Sequence, residues 1–163
     1  MIKLVSTVGF IITNPEGKIL LIKQSKEKEE EKVENDNLVV SQKDKEEVIE
    51  NEWSILFGTV EEDENPREVI KREIKKSLNC EVGDCDYFNL YFYNISDSFI
   101  KKACYFYGTV NGEIKMKKSS TTAEWVNLDK EELDKINLAP EQREALNDFI
   151  NFFQDKYLEK IEQ

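Results

Sequence analysis

Residues 58 to 80 read GTVEEDENPREVIKREIKKSLNC, and this stretch decides the fold. Asn65 followed by Pro66 marks a helix start: an Asn side chain accepts from the first free backbone N–H groups, and Pro brings no N–H that would need a partner. Glu68 falls in the first turn, where a carboxylate meets the positive end of the helix dipole. Val69, Ile70, Ile74 and Leu78 recur at spacings of three and four, which gathers them on one buried stripe. Asn79 tolerates the left-handed conformation that commonly closes a helix. A helix between Asn65 and Asn79 is therefore predicted, entered through the acidic run Glu61, Glu62, Asp63 and Glu64.

The flanks read mainly as strands. Upstream, LVSTVGFIIT (4–13) and KILLIK (18–23) are rich in aliphatic and β-branched residues, and Asn14-Pro15-Glu16-Gly17 between them has turn chemistry, which predicts a hairpin. The apolar stretch Trp53 to Gly58 leads into the helix. Between these lies a charge run over about 26–52, EKEEEKVEND (27–36) and KDKEEVIENE (43–52), with one apolar island at Leu38-Val39-Val40. It is expected to be an insertion or long loop: either a solvated excursion, or a lid or partner-docking element anchored at the island. Downstream, YFNLYFYNI (87–95), KACYFYGTV (102–110) and Ala123 to Val126 read as strands. A last helix opens at Ala139-Pro140-Glu141 and keeps Leu146, Phe149, Ile150, Phe153, Tyr157 and Ile161 on one face. The order β-rich, helix, β-rich, helix predicts an α/β (α+β) architecture, a sheet packed between helices, in a single domain over 1–163.

Composition narrows the chemistry. The chain has 163 residues, long enough for one core, and its nine Phe, six Tyr and two Trp can fill it. A net charge of −11 repels nucleic acid and anionic membranes, so neither is an expected partner. No apolar run is long enough to span a bilayer, and the start does not resemble a signal peptide, which points to the cytoplasm. Cys80, Cys85 and Cys104 lack zinc-finger or CxxC spacing and are expected as reduced thiols. The chain has no histidine, which excludes Ser-His-Asp and Cys-His systems and HExxH sites. Acid–base or metal work must fall to carboxylates, Lys, Tyr or water.

The 58–80 stretch resembles the Nudix box of MutT-related hydrolases, Gx5Ex7REUxEExGU with U aliphatic. Gly58, Glu64, Arg72, Glu73 and Ile74 stand in register with it. Lys76 and Ser77 replace the acidic pair, Asn79 the last glycine, and Cys80 the final aliphatic residue. Phe57 stands where the family commonly has another glycine. The resemblance covers most of the chain outside the charged run, and implies a Nudix-like α/β/α sandwich with a mixed central sheet. It also implies Mg2+ or Mn2+ held by carboxylates, and cleavage of nucleoside diphosphates linked to another group.

Helix positions i, i+3 and i+4 share a face, so the family pattern turns three carboxylates toward one point, where an oxygen-seeking cation can sit. Here that face reads Glu73, Lys76, Ser77, so one negative and one positive charge remain in place of three negative ones. Each charge contact at about 4 Å near a protein surface is worth up to roughly 4 kcal/mol, enough for the exchange to abolish metal binding.

Three readings of the site follow. Glu73 and Lys76 form an ordinary surface ion pair while Arg72 braces the loop through Glu64. Alternatively, Lys76 takes the lost cation's place against a ligand phosphate, beside Gly58, Ser77 and Phe57. In the third, Glu61, Glu64 and Glu73 still gather one metal, with Glu73, Arg72 and Glu64 as the catalytic set. Trp53, Phe57, Tyr91, Tyr93 and Tyr107 are either core or a stacking surface for a base. The basic run Lys115 to Lys118 is expected as a solvated loop, and Glu113 and Glu124 are open candidates for a general base. The functions implied are a binding module for a nucleotide-like or diphosphate-containing small molecule with lost or weak hydrolysis, a divergent metal-dependent pyrophosphohydrolase, or a protein-interaction scaffold using the 26–52 run.

Overall fold

The aliphatic runs of the first two strands are buried on both faces, and this determines the layering. A computed structural model describes residues 2–24, 52–116 and 121–162. In β1 (Lys3–Ile12), Val8, Phe10 and Ile12 join one core cluster while Ile11 joins another. In β2 (Lys18–Gln24), Leu20 and Ile22 go to the first cluster, and Ile19 and Leu21 to the second. Successive strand side chains point to opposite faces, so an unbroken apolar run marks a strand covered on both sides.

Helix α1 (Pro66–Leu78) covers one side with Val69, Ile70, Ile74 and Leu78. Helix α3 (Pro140–Glu162) covers the other with Ala145, Leu146, Phe149 and Ile150. Between them lie a four-stranded mixed sheet, order β4-β1-β6-β5, and a three-stranded sheet, order β3-β2-β7. Their remaining members are β3 (Trp53–Ser54), β4 (Leu56–Val60), β5 (Glu81–Ser96), β6 (Phe99–Asn111) and β7 (Thr121–Asn127). Strand β1 runs antiparallel to β4 and parallel to β6, giving the mixed character expected from the sequence, although the single sheet is divided in two.

The predicted hairpin is corrected by this division. The turn forms: the Gly17 N–H donates to the Asn14 carbonyl at 3.0 Å, and Gly17 takes φ 80°. The Asn14 side-chain oxygen also accepts from the N–H groups of Glu16 and Lys18. Beyond one bridge, Thr13 to Ile19, the strands part. Beyond the turn each takes other partners, β1 pairing with β4 and β6, and β2 with β3 and β7.

The downstream strands lie where the sequence puts them but are longer, and β5 meets β6 with three register shifts. A short helix α2 (Lys130–Asp134), which the strand and helix patterns did not show, buries Leu133 against α3. Of the charged run, residues 26–51 lie outside the described residues.

The chain changes sheets again at Ile55, between β3 and β4. Its N–H is deeply buried and donates to the Gln142 side-chain oxygen of α3 at 2.8 Å. A strand switch orphans backbone groups, and this carboxamide satisfies one of them. Gln142→Leu keeps the volume and removes the acceptor. It is expected to lower unfolding free energy by about 1–3 kcal/mol, the cost of a buried unpaired amide, which urea denaturation measures.

Candidate functional site

Helix α1 is set as its sequence requires. The Asn65 side chain accepts from the Arg67 N–H, and Asn79 closes the helix at φ 58°, with its N–H donating to the Lys75 carbonyl. Cys80, in place of an aliphatic residue, is buried in the α1-side core. Both departures from the box pattern thus do the structural work of the residues they replace.

Gly58 of β4 lies hard against α1: a Cβ there would come within 2.9 Å of Glu73 Cγ and 3.1 Å of Val69 Cγ1. The missing side chain lets α1 approach the strand and carry Glu73 inward, where only 19% of its side chain is exposed. Ahead of the helix, the loop is braced as one of the sequence readings has it. Arg72 Nη1 donates to Glu64 Oε2 at 2.5 Å, and the other Glu64 oxygen accepts the Glu61 N–H at 2.9 Å. The Arg72 hydrogen bond, then the Glu61 N–H, hold the Glu64 carboxyl below the usual carboxylate range, and Glu64 in turn raises Arg72.

A carboxylate with a depressed folded pKa adds stability above its unfolded value and loses it as pH falls through the folded one. In a carbon-detected NMR titration, Glu64 is expected to protonate below the usual carboxylate range, and Arg72→Gln to raise its midpoint. A Glu64 midpoint unmoved by that substitution would contradict the brace.

A cavity of about 460 Å3 opens beside this helix, a volume suited to a small molecule. Gly58, Glu61, Arg72, Glu73, Lys76 and Ser77 line one side of it, and Phe57, Ile22, Ile55, Leu56 and Met116 supply its apolar lining. Glu64, turned to Arg72, is not among the lining residues. The Glu73–Lys76 ion pair of the first of the three readings does not form: Glu73 instead lies 3.9 Å from Arg72 Nε. Lys71 pairs with Glu68 and Lys75 with Glu81, whereas Lys76 has no ion pair among the described residues.

The same placement tests the fit to a divalent metal. Glu61 and Glu73 reach the cavity, but Glu64 is committed to Arg72, and Lys76 and Ser77 occupy the face where further carboxylates would be needed. Among the described residues, no group of three or more acidic or thiol side chains is disposed to hold a metal ion. These residues do not fit the family's metal arrangement.

The aromatic set separates. The Tyr91 hydroxyl donates to Asp148 Oδ2 at 2.6 Å, Tyr93 donates to the Glu141 carbonyl, and Tyr107 packs on Phe149 and Phe152, all against α3. Burial pushes the Tyr93 phenol up to about 12. Trp53 lies under the Lys23 ammonium, 4.9 Å from the ring centre. Of the five aromatics singled out, only Phe57 lines the cavity. Glu113 and Glu124 are exposed and do not line it, and Lys117 and Lys118 lie outside the described residues. Sequence reasoning missed Ser54, Thr59, Met116 and Thr121, which line the cavity from three strands and a loop and meet only in the folded chain.

A family model for the NUDIX domain matches residues 3–149. The chain belongs to the Nudix domain family. Its Nudix fold is shared with the solution structure of the E. coli ORF135 protein, at TM-score 0.68 and 20% identity, covering 92% of this chain and 91% of that one. A MutT protein from Methanosarcina mazei Go1 matches at TM-score 0.65 and 20% identity, covering 96% of each chain. A MutT structure from work on Aliivibrio salmonicida and Vibrio cholerae matches at TM-score 0.64 and 16% identity, covering 91% of this chain and 98% of the other. No curated protein matches in sequence. Among the described residues, no helix of this Nudix domain is long and apolar enough to cross a membrane.

Proposed function

We propose that this Nudix domain binds a nucleotide-like, diphosphate-bearing small molecule, with Lys76 meeting the phosphate charge, and that its hydrolytic activity is weak or lost. The observation that carries this reading is the position of Lys76. It lines the cavity one helical turn beyond Glu73, with Ser77 beside it, and it is not engaged in an ion pair among the described residues, unlike Lys71 and Lys75. An ammonium group with three donors can meet a phosphate directly, and a neighbouring hydroxyl can add a hydrogen bond. Arg72 also faces the cavity, but Glu64 and Glu73 already draw on its charge. The three unpaired thiols agree with a cytoplasmic setting.

The test is calorimetric titration with a panel of nucleoside diphosphates in the presence of a chelator. Binding is expected without metal and should weaken by about tenfold or more in Lys76→Ala, the scale of one charge-assisted hydrogen bond. No binding of either a nucleoside diphosphate or inorganic pyrophosphate by the wild type, or equal binding by the variant, would remove Lys76 from this role. A second reading, a metal-dependent pyrophosphohydrolase using Mg2+ or Mn2+, is favoured by Glu61 and Glu73 lining the same cavity. Phosphate release at ordinary enzyme rates on adding either metal would establish it over the first.

A further inference from the structure

We infer that Phe57 is a stacking platform that makes the cavity select phosphates bearing a flat aromatic group over those without one. The inference rests on the reading that Lys76 holds the phosphate, and it concerns what lies at the other end of the ligand.

Strand geometry places Phe57. A Cβ on Gly58 would point into Glu73 on α1, and neighbouring side chains of a strand point to opposite faces, so Phe57 and Thr59 stand on the side away from α1. Both nevertheless line the same cavity as Lys76 and Ser77. Strand β4 is the last of its sheet, paired only with β1. The cavity therefore wraps the free edge of β4, with a charged wall from α1 on one side and Phe57 on the other.

Phe57 is 46% exposed, and among the described residues no aromatic ring or cation packs against its ring. The other candidate aromatics are engaged with α3 or with Lys23. A half-exposed aromatic residue lining a cavity of mixed polar and apolar character can serve as a contact surface for a ligand. Thr59 and Thr121 line the same cavity and can donate to or accept from the polar edge of a heteroaromatic ring. A ligand with a phosphate at Lys76 and a base on Phe57 meets both walls at once. Inorganic pyrophosphate or an aliphatic diphosphate meets only the first.

The experiment titrates adenosine 5′-diphosphate and inorganic pyrophosphate, both in chelator, into wild type, Phe57→Leu and Phe57→Trp. Leucine keeps apolar bulk and removes the stacking face; tryptophan restores one. Phe57→Leu is expected to weaken the nucleotide by about tenfold, within the range for loss of a base-stacking contact, and to leave pyrophosphate unchanged. Phe57→Trp should hold the nucleotide as well as wild type does. Equal weakening of both ligands, or tighter nucleotide binding by Phe57→Leu, would mean that the ring merely fills or blocks the cavity, and would overturn the inference. If wild type takes pyrophosphate but not the nucleotide, the role of Lys76 stands and that of Phe57 fails. If it takes neither, both fail together.

Discussion

Exchanging Lys76 and Ser77 together for glutamate is expected to create a divalent-cation site, raising Mn2+ affinity by at least about a hundredfold. Arg72, Lys76, Glu61 and Glu73 line the cavity and their formal charges cancel. The exchange changes the sum by −2 at position 76 and −1 at position 77, leaving −3. Each new carboxylate at about 4 Å from a cation gains up to roughly 4 kcal/mol per unit charge in a partly exposed site, and the repulsion from Lys76 disappears. Desolvation and ordering reduce that sum, and the hundredfold figure, about 2.7 kcal/mol, is what remains after a generous discount. Both positions are on exposed or half-exposed helix surface, so the fold should tolerate the change. Mn2+ titration followed by electron paramagnetic resonance reads the result. Affinity no greater than that of the wild type would mean that the 73, 76 and 77 side chains do not converge on one point.

The second large effect is structural. Phe149→Ala is expected to destabilise the protein by about 3–5 kcal/mol, the usual range for an aromatic removed from a closed core. Phe149 is fully buried, and its ring lies 5.2 Å from Phe88, 5.5 Å from Tyr107, 6.0 Å from Phe152 and 5.7 Å from Phe153. These residues come from β5, β6 and α3, so the cavity left behind cannot close by moving one element. Against a total of about 5–15 kcal/mol for a typical domain, the loss is a large share. Chemical denaturation should show it as a lower midpoint with an unchanged slope. Phe57→Leu, at an exposed ring, should shift the midpoint little, which also separates ligand effects from stability effects at that position.

The sequence was most legible where the signals are local. The cap at Asn65, the stripe from Val69 to Leu78 and the left-handed Asn79 all depend on neighbours within a few residues, and helix α1 follows them closely. The turn at Asn14 to Gly17 is equally local and forms, yet the pairing drawn from it stops after one bridge, and β1 and β2 pair along their lengths with other strands. Site residues divided in the same way. Arg72, Glu73, Lys76 and Ser77 were readable because helical periodicity puts them on one surface. Thr59, Met116 and Thr121 were not, since their common cavity depends on two sheets and on loops between them. The bracing of Glu64 by Arg72 was visible as a charge pairing. Its consequence, that Glu64 is drawn away from the cavity, needed coordinates.

The position of β1 also governs how the molecule can assemble. Hydrogen bonds from Thr7 and Thr13 reach carbonyls of β6 that lie 95 residues further along the chain. Loop-closure entropy must be met before such contacts gain anything, and folding slows as the separation of contacting residues grows. The most apolar strand must therefore wait for β6 to arrive on its parallel side. Until then Phe10, Ile11 and Ile12 have no finished sheet to enter, and refolding should be slower, and more sensitive to protein concentration, than that of a helical bundle of similar length.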